Sequence, residues 1–414
     1  MKFKALCSAY FLAICGIFAP TVFAEVRFVH LTDPHLFEQP GKEKETLESL
    51  EYFRIAVKRV NSLEASLNTN KQHLDFVILT GDLGIEKLIK ELPIDATEVG
   101  KKEGSIVIEK DGKFFELIKN QDKWTKGVKL VADIIVKSKP KLWLLVPGNN
   151  DLYDELPETI GLYADFVNDI KQLVASKDAM LKIIDFRLEA TDKIGDFLPG
   201  TLKIGNNLII GWNNAFFKNN YSVKRFLDKD NNPKPIEQLA EYKSLQTLSE
   251  AMKHYDAKYI YIFYHIPEVD DPWRINFEVD PDDQDDNTVS KTFREVNKLS
   301  PELAQGIYPY SAWMVPIEIR KMWENIIIDV SRSAEVKGLF AGHFHDRNRD
   351  LYEGFRWLRD TRYRPEILAI LHIDSSISVK NQIDFSSKNR ARGGQFVQID
   401  DAGDLKIERF WIED

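Results

Sequence analysis

Residues 26–35 read Val-Arg-Phe-Val-His-Leu-Thr-Asp-Pro-His. An apolar, β-branched run over Val26–Leu31 stops on Asp33-Pro34-His35. Such a run predicts a short strand covered on both faces. At its carboxyl end it delivers a carboxylate and an imidazole. Four more runs repeat the arrangement. Asp75–Thr80 leads into Gly81-Asp82, Leu142–Val146 into Gly148-Asn149-Asn150-Asp151, Lys258–Tyr264 into His265, and Lys337–Ala341 into Gly342-His343-Phe344-His345.

Helical patterns separate these strands. Leu50, Phe53, Val57 and Val60 share one face of a helix near residues 46–63. Val128, Val131 and Ile135 mark a second, after Asp122. Leu245, Leu248 and Met252 mark a third that Pro235 could start, and Ile319, Trp323, Ile326 and Val330 a fourth opened by Pro316. Strand–helix alternation implies an α/β sandwich. Residues 84–123 read as an insertion, with Ser105–Glu109 and Lys113–Leu117 flanking the hairpin signal Asp111-Gly112. Residues 270–300 read as a second, acidic insertion. Further strands are expected over 183–217, including Asn207–Trp212, and from Pro365 onward, ending in Asp404–Trp411. We therefore expect one domain over 25–414.

Residues 1–24 differ from the rest. Lys2 and Lys4 precede an apolar run from Ala5 to Pro20, and Val22-Phe23-Ala24 offers a cut before Glu25. This is the pattern of a cleavable secretory signal peptide, so a periplasmic or secreted protein is expected, with no membrane span in the mature chain. A lipid anchor at Cys15 fits less well, because Ile14 precedes it. Both cysteines, Cys7 and Cys15, fall in this segment, so the mature chain would have neither disulfides nor thiolate ligands. The segment carries two lysines and no acid, so its removal takes the formal charge from −9 to −11. An acidic chain is a poor nucleic-acid binder, although bound cations could still attract an anionic substrate.

Ligands gather at the carboxyl ends of strands in open α/β sheets. The five strand ends would bring together Asp33, His35, Asp82, Asn149, His265, His343 and His345. Nitrogen and oxygen donors without sulfur suit zinc, iron or manganese. Seven side chains exceed one tetrahedral site, and with one carboxylate bridging they suit two ions. Taken singly, each histidine reads more naturally as a hydrogen-bonded structural residue; Asp33 and Asp82 could cap helices and Asn149 could serve a turn, but their places before His35, after Gly81 and in the third run favour ligation. The joint pattern favours a metal pair.

The ordered set Asp-x-His, Gly-Asp, Gly-Asn-x-Asp, His and Gly-His-x-His resembles the calcineurin-like metallophosphoesterase family. The resemblance implies a four-layer sandwich of two mixed sheets flanked by helices. It implies that Asp33, His35 and His345 hold one metal, that Asn149, His265 and His343 hold the other, and that Asp82 bridges them. A hydroxide between the ions would be the nucleophile. Where the family usually has His, this chain has Asn150, which donates a hydrogen bond but cannot release a proton as an imidazolium does. The wording Gly-Asn-Asn-Asp resembles the secreted sphingomyelinase-like and endopolyphosphatase-like branches. Asp151 would pair with Asn150 or shape the turn.

The expected activity is hydrolysis of a phosphodiester or phosphoanhydride in preference to a monoester, on a small-molecule, lipid-like or polyphosphate substrate. The alternative is a catalytically weak, metal-stabilised binding protein on the same fold. His30, His73, His254 and His372 fit no motif and read as structural or surface residues, with His73 a weak candidate for a proton donor. Asp280, Asp282, Asp283, Asp285 and Asp286 read as a solvated loop, since they lack the spacing of a calcium-binding loop. Trp212, Asn213, Asn214, Phe216, Phe217 and Trp273 could line a cleft or belong to the core. Arg347 and Arg349 could meet a phosphate or face solvent.

Overall fold

The computed structural model of the protein describes residues 25–37, 43–100, 104–110, 112–189, 198–216, 234–266, 322, 325–327, 329–330, 333–342, 371–374 and 393–411. In chain order these form β1 (Val26–Thr32), α1 (Glu43–Thr69), β2 (Phe76–Thr80), β3 (Ile89–Ile94), β4 (Ile106–Lys110), β5 (Lys113–Lys119), α2 (Gln121–Ile135) and β6 (Leu142–Val146). There follow α3 (Ile160–Lys177), β7 (Lys182–Asp185), β8 (Thr201–Ile204), β9 (Asn207–Gly211), α4 (Ala240–His254), β10 (Tyr259–Phe263), β11 (Glu335–Ala341), β12 (Leu371–Asp374), β13 (Gly393–Ile399) and β14 (Leu405–Trp411). The expected strands fall within two residues of these bounds.

Two mixed sheets and one antiparallel sheet result. The first runs β14-β13-β1-β2-β6-β7, with β1, β2, β6 and β7 parallel and β13 and β14 antiparallel at one edge. The second runs β12-β11-β10-β9-β8, parallel except for β8 at its edge. The third, β3-β5-β4, is antiparallel. It occupies the stretch expected as an insertion, although the last residues of that stretch already belong to α2. Gly112 takes a positive φ of 71° in its hairpin, as the turn signal predicts.

Alternation along the strands sends side chains into three apolar clusters. Phe28, Phe76, Ile78, Leu144 and Val146 of the first sheet meet Ile209, Tyr261, Phe263 and Phe340 of the second. Phe263 stacks on Phe340 at 4.4 Å, and Phe28 meets Phe263 edge-on at 5.4 Å. The opposite face of the first sheet, with Val29, Leu31, Val77, Leu79 and Trp143, is covered by α1, α2 and α3 through Phe53, Val131 and Phe166. The outer face of the second, with Leu208, Ile210, Ile260 and Ile262, is covered by α4 through Leu245, Leu248 and Met252. Ile326 and Val330 join that cluster from helical positions. Pro316, Ile319 and Trp323 of the fourth expected helix lie outside the described residues. The fold is mixed α/β, and its stacking is compatible with an α/β sandwich. Each buried Phe or Leu contributes roughly 1.5–3 kcal/mol by leaving water.

Two details differ from expectation. Pro235 opens a single 3-10 turn, Ile236–Gln238, closed by Gln238 N–H donating to the Pro235 carbonyl at 2.9 Å, and α4 starts only at Ala240. Helix α3 was not anticipated, although Tyr163, Phe166, Val167, Ile170 and Val174 recur at helical spacing. Among the described residues no helix is long and apolar enough to cross a membrane. Residues 1–24 and 270–300 lie outside them.

His30 faces inward between Phe28 and Thr32 on β1. Its ring lies edge-on to Phe263 and Phe340, and Nε2 sits 2.7 Å from Thr80 Oγ1. Burial pushes its pKa down from 6.5 to about 4, against weaker opposing contributions from Gln395 and Asp33. The folded protein therefore holds His30 neutral. That stability is complete above pH 6.5 and is lost as pH falls toward 4, by up to about 3 kcal/mol. In urea titrations at pH 7 and pH 4.5, His30→Gln is expected to lose less stability on acidification than wild type. Equal losses would contradict a neutral, buried His30.

Candidate metal centre

Strands β1, β2 and β6 end level with one another, since Thr32 pairs with Thr80 and Thr80 with Val146. Beyond that line the backbone turns sharply. Asp33, His35 and Asp82 all adopt left-handed conformations, with φ of 55°, 44° and 53°. Such a conformation costs on the order of 1–2 kcal/mol for a residue with a Cβ, so three in one place mark a constrained site. The turns hold each other: His35 N–H donates to the Asp82 carbonyl at 2.8 Å and Leu36 N–H to the Leu83 carbonyl at 2.9 Å. Gly81 has φ 84°, and a Cβ there would lie 2.5 Å from both Gly148 Cα and His265 Nδ1. Only glycine lets the three loops approach this closely.

Five of the seven predicted ligands converge here. Asp33, His35 and Asp82 are buried and present ligand atoms all within 4.8 Å of one another. His35 Nε2 lies 3.5 Å from Asp82 Oδ2 and 3.9 Å from Asp33 Oδ1. His265 Nε2 lies 3.3 Å from Asp82 Oδ1, 3.9 Å from Asp33 Oδ1 and 3.0 Å from Asn149 Oδ1. Donor atoms that share a tetrahedral zinc-like ion sit about 3.3 Å apart. The spacing and the nitrogen–oxygen donor set therefore suit a metal ion, and the buried Asp33, His35 and Asp82 could hold one. Predicted ligands His343 and His345 lie outside the described residues.

Neighbouring residues orient this group. His265 Nδ1 is 3.0 Å from the Thr80 carbonyl, which directs Nε2 toward the carboxylates. Asn214, buried on the loop after β9, accepts from His265 N–H and Ile266 N–H at 3.1 Å each, and its Nδ2 donates back to the Ile266 carbonyl. Asn150 donates its backbone N–H to Asp82 Oδ1 at 2.8 Å and its side-chain amide to Asp82 Oδ2 at 2.7 Å. Of the two roles left open for Asp151, the structure has the turn-shaping one. Its carboxylate accepts from Gly148 and Gly84 N–H at 2.9 Å, and from Ile85 N–H at 3.4 Å. Burial and the Asp82 charge push the Asp151 carboxyl upward, against those N–H donors.

The remaining candidates separate. Trp212 and Phe216 belong to the core under α4, and Trp212 Nε1 donates to Ser244 Oγ at 2.8 Å. Asn213 accepts from Ala215 N–H at 3.3 Å within its own turn. His73 is exposed near Asp75, at the opposite end of β2 and roughly 17 Å of strand from the site. It is badly placed to protonate a leaving group there. His254 packs edge-on to Tyr255. Phe217, Trp273, Arg347, Arg349 and the aspartates 280–286 lie outside the described residues, as does the side chain of His372. Sequence reading missed the roles of Thr32, Thr80 and Asn214. A polar residue ending each apolar run was the available signal.

His265 would make metal binding at this site depend on pH. Burial alone would lower its pKa, but the Asp82 and Asp33 charges outweigh it and raise the value from 6.5 to about 9. The metal-free imidazole is thus protonated at neutral pH, and an incoming ion must displace that proton. Titrations with zinc or manganese are expected to show affinity rising from pH 6.5 to 9, with proton release at pH 7. Divalent metal should raise the melting temperature of chelator-treated wild type, and Asp82→Asn should lose most of that rise. An unchanged rise in Asp82→Asn would contradict the site.

No protein-family model and no curated protein matches this chain. A solved structure aligns over 94% of this chain and 100% of its own, at 9% identity and a TM-score of 0.35. So distant a likeness carries no argument about function.

Proposed function

We propose that the chain is a metallophosphoesterase that hydrolyses phosphate esters with two metal ions in a calcineurin-like sandwich. The observation that carries this reading is the division of Asp82. Its Oδ1 faces His265 and its Oδ2 faces His35, at 3.3 and 3.5 Å. A carboxylate whose oxygens serve different imidazoles suits a bridge between two ions. In this reading Asp33, His35 and His345 hold one ion, and Asn149, His265 and His343 hold the other. Two sheets packed face to face, with helices outside and ligands at strand ends, support the finer four-layer assignment.

Such ions supply positive charge for phosphoryl oxygens and a nucleophile at neutral pH. The chain's own residues prepare the place. Thr80 fixes the His265 ring, Asn150 orients Asp82, and the left-handed turns keep Asp33, His35 and Asp82 facing one space. Asn150 offers no proton to a departing alkoxide. A phosphodiester or phosphoanhydride with a good leaving group therefore suits the site better than an alkyl monoester. The signal-peptide pattern of residues 1–24 supports a periplasmic or secreted location for this activity.

The second reading is a metal-stabilised binding protein with little catalysis. It is favoured by Asn150 itself, which turns both its backbone and side-chain N–H groups to Asp82 and supplies no general acid.

Metal-reconstituted protein assayed on paired chromogenic mono- and diesters separates the two. Turnover of aryl diesters with steep dependence on leaving-group pKa is expected. Asn150→His should gain on poor leaving groups, up to the 10²-fold order typical of a general acid. No turnover at full metal occupancy would favour the binding reading.

A further inference from the structure

The hydroxyl of Thr32 occupies a position that the ligand set alone does not require. Thr32 is fully buried at the end of β1. Its Oγ1 lies 2.6 Å from Asp33 Oδ2 and 2.5 Å from the Thr80 carbonyl oxygen. The same carbonyl is 3.0 Å from His265 Nδ1. The Thr80 hydroxyl is engaged elsewhere, 2.7 Å from His30 Nε2, so the carbonyl is what Thr32 and His265 share. The backbone of Gly342 closes the space: a Cβ there would lie 2.0 Å from Thr32 Oγ1 and 2.4 Å from Asp33 Oδ2.

A carbonyl oxygen has two lone pairs, and here two donors reach it. The Thr32 hydroxyl has one proton, and both the Asp33 carboxylate and the carbonyl that holds the His265 ring accept it, so the two are linked by sharing that single proton in a three-centre bond. We propose that Thr32 is a positioning residue that sets the orientations of Asp33 and His265 together for metal binding. The inference rests on the metal reading above and assigns Thr32 no contact with metal or substrate. With Oδ2 tied to Thr32, Asp33 presents Oδ1, the oxygen 3.9 Å from both His35 Nε2 and His265 Nε2. With Nδ1 tied to Thr80, His265 presents Nε2. Asp33 follows a strand of the first sheet and His265 a strand of the second, so the linkage also fixes the two sheets' contributions relative to each other.

The test compares Thr32→Val, which keeps the shape and removes the hydroxyl, with Thr32→Ser, which keeps the hydroxyl. Chelator-treated chains are titrated with cobalt(II), reading affinity, the visible spectrum of the bound ion, and the rise in melting temperature on loading. Thr32→Val is expected to bind about 10–100-fold more weakly, as for outer partners of metal ligands generally. Its cobalt spectrum should be altered, and Thr32→Ser should restore wild-type behaviour. Thr32→Val with wild-type affinity and spectrum overturns the proposal. So does an equal drop in metal-free and metal-loaded melting temperatures, which marks a merely structural role. Should Thr32→Val fail to fold, Thr32→Ala carries the same comparison. Wild type that takes up no metal overturns the metal reading as well, whereas normal wild-type uptake with an unchanged Thr32→Val overturns this inference alone.

Discussion

Two buried carboxylates, Asp33 and Asp82, set the terms for the surrounding structure. Taking an ionised carboxylate out of water costs several kcal/mol unless opposite charge and hydrogen bonds compensate. Both side chains are almost wholly buried, at the rim where the two large sheets meet. The compensation comes from the imidazoles of His35 and His265 and from Asn150, which donates to both Asp82 oxygens. A bound cation could supply the same compensation. The upward shift at His265 reflects the Asp82 and Asp33 charges winning over burial, and that at Asp151 reflects burial first and the Asp82 charge second.

The backbone conformation follows from the need to bring these groups together. Left-handed turns at Asp33, His35 and Asp82 are unfavourable one by one and persist because neighbouring loops hydrogen-bond across them. Asp151 does for the Gly148 loop what Asn214 does for His265: a side chain accepts several N–H groups and holds a turn that the strands cannot. Behind the turns, the stacked rings of Phe263 and Phe340 and the neutral His30 pack together as an apolar floor. Function in this reading depends on a strained rim carried by an apolar sandwich.

Much of this was legible in the amino-acid order, for identifiable reasons. Strands buried on both faces read as continuous apolar runs, and Leu142–Val146 was recovered with its exact ends. Candidate ligands that follow such runs directly are visible because strand ends are visible. Strand β3 was not, since Ile-Lys-Glu-Leu-Pro-Ile has neither a clean run nor alternation, and Pro93 is tolerated only because β3 is an edge. The supporting residues were least legible. Thr80 meets His265 across 185 positions and Asn214 meets it across 51, and no local pattern records such pairings. Asp151 could be placed in its turn from sequence, but only its three N–H partners decide between the two roles left open for it.

Anomalous diffraction from metal-soaked crystals, collected at the zinc, iron and manganese edges, tests the bridging role of Asp82 most directly. Two peaks about 3.5–4 Å apart, one on the His35 side and one on the His265 side of the Asp82 carboxylate, are the predicted result. A single peak at full occupancy, or peaks away from Asp82, would contradict a dinuclear centre.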